Sequence, residues 1–507
     1  MEQIEQREEI RGGVFFQYFK SATTVLAGFI FYVYIIHFYS SEFVGTVALL
    51  LAIVQLVGVL FSLGLGFALQ HYISYHIGRK EYGSVVGMAI KFSIIGISLA
   101  ALSVTFLYFS SPIFVALFFH TSSDVVLVKY LGIDVFFATS NAFLGNILIG
   151  LQKFKSQAMW ATVGTLVGYF LSVVLLSIFN SGILMVIGWA AGSAMSTIAF
   201  LALISRGTRG LSEIRSAVGI SPVFSYAFPL FIASLVGYGA NYTDRLIVSH
   251  LLNLSLLGIY NFALLISSAI GFLSLPFSTI LLPKLSEMYG LERREDMKKY
   301  VSKGIELLST IYVPIAMLIA ALSASILLFL SNEEYLPATI PIMIVLVTSS
   351  IFVSVNILGI SLQSIRKTNV FLITSSSALV SNMVLSVLLV PRFQMIGASI
   401  GYSSVTAVSF FITYYYARKF DVLKFEGLKI VKIYTSAVVM FFAVFELQRL
   451  FLYSPLKLFL YIFVGFAIYS GTIKVLRTFS KDDMEFVMGL LPWGLQRIRV
   501  VISALFL

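Results

Sequence analysis

Four polar residues, Ser234, Tyr238, Asn241 and Arg245, recur at steps of three or four along an otherwise apolar stretch, with Gly237 and Asp244 on the adjoining ridge. At 3.6 residues per turn they form one polar stripe on a helix. Such a stripe can line a cavity and present the Arg245 guanidinium to an anionic group. It equally suits an ion-paired structural charge near a helix end, with Arg245 reaching back to the interface. Asp134 lies at similar depth in another apolar stretch, and a salt bridge between Asp134 and Arg245 would close an outer gate. Lys20 and Lys91 sit roughly a turn or two inside their stretches. There they either snorkel to the interface or add positive charge at an inner mouth. The uncharged Gln55, Asn141, Asn146 and Asn356 fall mid-stretch, where they can hydrogen-bond sugar hydroxyls or neighbouring helices.

Other chemistries are missing from the sequence. There is no cysteine, and His37, His71, His76, His120 and His250 show no ligand spacing, so neither a metal site nor a cofactor is expected. His37 and His250 read as interfacial aromatics, with proton sensing as the alternative. No P-loop, G-x-S-x-G or H-E-x-x-H occurs, and no D-x-D lies on an outer loop. The largest outer loop, Ser110–Lys129, offers Asp124 and His120. A membrane-embedded glycosyltransferase needs more than this, so the expectation is a transporter rather than an enzyme, with no ATP bound by this chain.

The elements that must position these residues follow from composition. Of 507 residues, 59% are hydrophobic and 11% charged, against roughly a quarter charged in a soluble domain. Most of the chain is therefore solvated by lipid. Runs of about 20 apolar residues, long enough to cross the hydrocarbon core, recur from Val14–Ile36 to Leu456–Leu476. They amount to about fourteen transmembrane helices, and the penultimate, Ile433–Gln448, is the shortest. The first run is too long for a cleavable signal peptide. The spacing predicts an all-α polytopic protein: a tail (1–13), an N-lobe of six spans (14–205), a linker (206–223), a C-lobe of six spans (224–417), two further spans behind a basic loop (418–476), and an amphipathic tail (477–507).

Basic residues alternate by loop. The loop after the second span and every second loop beyond it hold Arg79 and Lys80, Lys153 and Lys155, Arg206, Arg209 and Arg215, the Lys284–Lys303 cluster, Arg366 and Lys367, and Arg418 to Lys432. The intervening loops are poor in Lys and Arg. The positive-inside rule then puts both termini in the cytoplasm. It also accounts for the net charge of +11, so no nucleic-acid partner is implied. His37 to Gly45 and His250 to Gly258 share a spacing of eight, each glycine opening a span. This register makes spans 1–6 and 7–12 two parallel copies of one unit, forming two lobes around a central cavity as alternating access requires.

Asp244-Arg245, Gly258-Ile259-Tyr260, Pro276 and Leu282-Pro283-Lys284-Leu285-Ser286 together resemble the oligosaccharide and polysaccharide flippases of the multidrug/oligosaccharidyl-lipid/polysaccharide exporter superfamily. The resemblance implies a cationic central cavity that moves a polyprenyl- or dolichyl-linked oligosaccharide across the cytoplasmic membrane. Arg245 matches the family's Asp-Arg pair. Gly258, Tyr260, Pro276 and Pro283 match structural positions, with Gly45 the internal counterpart of Gly258. Spans 13 and 14 match the pair that forms a groove for the lipid tail. The implied partners are the lipid-linked oligosaccharide, membrane lipids and glycan-assembly enzymes, around a monomer. A multidrug exporter is the runner-up and a lipid II flippase the third reading. The tail carries Phe486, Leu490, Leu491 and Trp493 before Arg497 and Arg499, which suits an interfacial segment. Asn253-Leu254-Ser255 is a sequon close to the membrane.

Overall fold

The computed structural model describes residues 2–119, 124–208, 219–424, 427–450 and 454–478, with side chains omitted at 2–15, 220, 275, 276 and 278–280. His120, Arg209, Arg215 and the amphipathic tail lie outside the described residues. Their regular structure is all helical, joined by short turns, with no strand among the described residues. The first seven helices are α1 (Glu2–Phe38), α2 (Ser41–Ser62), α3 (Leu65–Gly78), α4 (Tyr82–Phe118), α5 (Asp124–Gly150), α6 (Phe154–Phe179) and α7 (Gly182–Thr208). Then come α8 (Ile220–Leu251), α9 (Leu254–Ala269), α10 (Leu275–Gly290), α11 (Arg294–Ala321), α12 (Ser323–Leu330), α13 (Thr339–Ile351), α14 (Val355–Ser364) and α15 (Asn369–Lys419). Two more, α16 (Gly427–Leu450) and α17 (Pro455–Val475), follow.

Thirteen of the described helices are long and apolar enough to cross a membrane. One of them, α15, has 51 residues and breaks at Gln394, where φ is 48°. At about 1.5 Å per residue it exceeds twice the roughly 30 Å core. It therefore supplies two spans, which restores the count of fourteen. The penultimate span is not short: α16 runs 24 residues, because Lys429 and Lys432 extend it beyond the apolar run.

The helix boundaries repeat. A shift of 213 residues carries the end of α1, Phe38, onto the end of α8, Leu251, and the start of α2, Ser41, onto the start of α9, Leu254. The left-handed residues recur too: Lys80, Gln152 and Asn180 in the first half answer to Glu292, Arg366 and Gln394 in the second. The span after α1 and the one after α8 are both discontinuous, at Leu63–Gly64 and at the 3-10 stretch Ile270–Ser274. Such paired interruptions mark a duplicated transporter unit.

Packing divides the chain into two compact units, Met1–Gly258 and Ile259–Leu507. Although the repeat restarts at α8, that helix packs on α2, α3 and α4 of the first unit. Gly64 makes this possible. Its φ is +68°, and a Cβ there would lie 2.3 Å from the Ala227 carbonyl oxygen on α8. Buried Leu65, Phe92, Phe143, Ile147 and Phe200 close the core beneath Val223 and Ala227 of that helix.

Helices α6 and α7 meet through small residues, the usual device where lipid removes the hydrophobic drive for association. Gly164, Gly168 and Ser172 face Gly188, Gly192 and Ser196, and a Cβ on Gly192 would sit 2.3 Å from the Gly164 carbonyl oxygen. Gly192→Leu is therefore expected to destabilise the protein by about 3 kcal/mol, read as a fall in thermal midpoint in detergent. In the second unit the two halves of α15 meet in the same way, Gly401 against Ser386.

Also in the second unit, α11 is tied to the basic loop ahead of α16. Lys298 reaches Asp421 at 2.6 Å, and the buried Glu306 carboxylate lies 3.5 Å from Lys303 and 3.6 Å from Lys429. In the first unit, the turn joining α3 to α4 holds Arg79, which donates to the Tyr75 hydroxyl and pairs with Glu81 at 3.1 Å. Tyr75 and then Glu81 hold that guanidinium above its ordinary pKa, so Arg79 stays cationic.

Candidate functional site

The first unit encloses a cavity of about 620 Å³, a size that fits a small ligand or a sugar headgroup. Helices α5, α6 and α7 build most of its wall. From α5 come Asp134, Thr139, Asn141 and Asn146, from α6 Gln157, Thr165 and Tyr169, and from α7 Trp189, Ser193 and Ser196. Gln55 of α2 and Ser234 of α8 complete the polar part.

Hydrogen bonds fix this wall. The Ser193 hydroxyl donates to Asp134 Oδ1 at 2.9 Å. Asn141 Nδ2 donates to the Ser193 carbonyl at 2.9 Å, and Thr197 donates to Asn141 Oδ1 at 3.0 Å. Gln17 on α1 donates to Gln157 Oε1 at 2.8 Å. Tyr169 packs at a tilt on the buried Phe31, ring centroids 5.1 Å apart, and Trp189 meets the same ring edge-on at 5.7 Å. The buried Trp189 Nε1 and Thr139 Oγ1 have no protein partner among the described residues. The surface is thus rich in amides, hydroxyls and aromatic faces, with Asp134 as its one carboxylate and no lysine, arginine or histidine.

Sequence reasoning identified Asp134, Gln55, Asn141 and Asn146 as polar groups within spans, and all four line this cavity. Tyr169, Gln157, Trp189 and Ser193 were not singled out. The one usable signal was the spacing of Trp189, Ser193 and Ser196, which shares a helix face.

The α8 stripe reaches the cavity only through Ser234; its other members lie off it. Tyr238 is 9% exposed and donates its hydroxyl to the Ala52 carbonyl at 3.1 Å. Its ring stacks on Tyr242 at 4.8 Å and 12°, and the Arg245 guanidinium lies 4.7 Å from the Tyr242 ring centroid. Arg245 also donates to the Asn241 carbonyl at 3.3 Å, while the Asn241 side chain is exposed. Asp244 is fully buried. The result is a column of two phenols and one guanidinium along α8. Six residues separate Tyr238 from Asp244, which turns them well apart around the helix.

The remaining candidates are dispersed. Lys20 and Lys91 are half-buried and lie off the cavity. Asn356 opens α14 in the second unit and donates to Val353. Tyr260 is fully buried there. Pro276 sits in the first turn of α10 and Pro283 inside that helix. His37 and His250 are exposed at the ends of α1 and α8, each donating its Nδ1–H, to the Val33 and Leu117 carbonyls respectively. Asn253 of the sequon accepts from the Leu256 amide, and Ser255 bonds Ser41.

Comparisons with known proteins agree with this architecture. The family model for polysaccharide biosynthesis proteins matches residues 13–289, and the MatE model matches 229–388. The probable low-salt glycan biosynthesis flippase Agl15 of Haloferax volcanii is 24% identical over 292 residues, 56% of this chain and 61% of that protein. The match thus spans about three fifths of the relative's length. Among solved structures, the lipid II flippase MurJ in an inward closed conformation superposes with a TM-score of 0.72 at 16% identity, covering 91% of this chain and 98% of that one. An inward-facing multidrug resistance transporter of the MATE family gives 0.63 at 14% identity, covering 78% and 94%. Both have the fold found here. The chain is a multi-pass membrane protein that belongs to the polysaccharide biosynthesis protein family.

Proposed function

We propose that this protein is a flippase that carries a lipid-linked oligosaccharide, on a polyprenyl or dolichyl phosphate, from the cytoplasmic to the outer leaflet of the cytoplasmic membrane by alternating access. The observation that carries this reading is the intramembrane cavity. Aromatic faces at Tyr169 and Trp189 beside amides at Gln55, Asn141, Asn146 and Gln157 are the groups that bind neutral sugars: rings stack on the aromatics and hydroxyls exchange hydrogen bonds with the amides. The family and the named function of the Haloferax relative support the same direction. Arg245 on its tyrosine column would hold the phosphate, because a guanidinium matches a phosphate's oxygens with paired donors. Both termini would be cytoplasmic, the glycan-assembly enzymes would supply the substrate, and the protein would act as a monomer without catalysing a covalent step. The outer gate would pair Arg245 with Asp134, each leaving the partner it has here.

A multidrug exporter is the second reading. It is favoured by the MatE match and by one carboxylate, Asp134, within the cavity, a group that would attract an organic cation. Proteoliposomes separate the two. The protein is reconstituted with a fluorescent lipid-linked oligosaccharide and the label reaching the opposite leaflet is scored against empty liposomes. Label movement supports the flippase. Stationary label together with efflux of a cationic dye would replace it with the exporter.

A further inference from the structure

Asp134 stands about ten residues from the start of α5, roughly 15 Å along the helix, inside a span and 5% exposed. Apart from the proposed gate with Arg245, the flippase reading leaves this acid without a task in the conformation described. Its neighbours decide its state. From α7 the Ser193 hydroxyl donates to Oδ1. From α6 the Tyr169 phenol is the one titratable group on the same wall. The lining residues of α1, α2, α3 and α8 include no charged side chain, and α4 contributes none to the cavity. An ionised carboxylate can accept about four hydrogen bonds, and one is made here. An anion so placed, in hydrocarbon and without a cation, is strongly disfavoured. A proton on the free oxygen removes that penalty and adds a donor facing the cavity.

A metal cation is the other way to neutralise the group, but the side-chain and carbonyl oxygens of the Ser193–Asn141 network are committed. Asn141 Oδ1 accepts from Thr197, and the Ser193 carbonyl accepts from both Asn141 and Thr197. A hard cation needs several free oxygens at once, and this wall does not gather them. We propose that Asp134 is a reversible proton-binding site within the membrane. The O–H bond forms with a proton taken from cavity water as the cavity closes and dries. It breaks when the cavity hydrates, with the proton passing to cavity water. That such a proton drives glycan movement rests on the flippase reading; proton binding itself does not.

The test uses no glycan. The full chain in liposomes is treated with dicyclohexylcarbodiimide, which captures protonated carboxyls in apolar surroundings, and the modified peptide is quantified by mass spectrometry with Asp134→Asn as the blank. Labelling of Asp134 should rise about tenfold per pH unit of acidification on the alkaline side of its midpoint and be indifferent to sodium. Ser193→Ala removes a bond that favours the ionised form, so its midpoint should move up by about one pH unit. Protection by sodium would overturn the proposal in favour of a sodium site. Labelling that is absent or flat with pH would overturn it outright, and an unmoved midpoint in Ser193→Ala would remove the contact on which it stands. None of these outcomes depends on whether the flipping assay succeeds.

Discussion

Arg245→Ala should slow translocation of the labelled lipid-linked oligosaccharide by about 10- to 100-fold, the loss expected when one charge-assisted contact of about 1.5–3 kcal/mol to a phosphate is removed. Its contacts within the protein include weaker ones, among them the bond to the Asn241 carbonyl at 3.3 Å. The guanidinium over the Tyr242 ring, at 4.7 Å, contributes about 0.5–1 kcal/mol at a partly exposed site. The thermal midpoint should therefore move little while transport collapses. Arg245→Lys should fall between the two, because an ammonium keeps the charge but loses the planar fork and most of the stacking. Measured side by side, transport rate and thermal midpoint separate the two roles open to this residue. A midpoint that falls in step with the rate would make Arg245 a structural charge and leave the phosphate to Lys20 or Lys91.

Much of this arrangement is legible in the sequence, for physical reasons. A span must supply about 20 apolar residues, so the fourteen crossings could be counted from composition. The His37–Gly45 and His250–Gly258 echo set the register that the helix ends then repeat. The breaks at Leu63–Gly64, Ile270–Ser274 and Phe352–Ser354 left no trace, because the residues on either side are as apolar as the helices they interrupt. Asp134, Gln55 and Asn141 stood out because such groups are rare in lipid. Ser193 and Trp189 did not, since serine and tryptophan are ordinary in spans. Glu306 was passed over because it follows the basic cluster at the edge of its apolar run; in the structure it is buried beside Lys303 and Lys429. The α8 stripe was seen as one polar face, yet packing against α2 buries Tyr238 while leaving Asn241 exposed. Periodicity gives a residue's angle on its helix but not which neighbour that angle will meet.

The largest effect on stability is expected at the crossing of α2 with the first turn of α9. There the repeat is reciprocal. A Cβ on Gly45 would lie 1.8 Å from the Leu254 carbonyl oxygen, and one on Gly258 would lie 2.1 Å from the Ser41 carbonyl oxygen. Ser41 and Ser255 join hydroxyls beside them at 2.6 Å. Both obstacles are backbone, so neither can yield by a rotamer change, and the helices themselves would have to part. Gly45→Ala or Gly258→Ala should each cost about 3 kcal/mol or more. Each should appear as a lower thermal midpoint and a loss of monodisperse protein on size exclusion in detergent. Gly471→Ala on α17, where a Cβ meets nothing within 4 Å, is the control and should be neutral or gain up to about 1 kcal/mol from helix propensity. The double variant Gly45→Ala/Gly258→Ala should cost less than the sum of its parts, because separating the helices once relieves both overlaps. Additive losses would mean that the two glycines act at independent contacts, and unchanged midpoints in the single variants would mean that the crossing is looser than the structure has it.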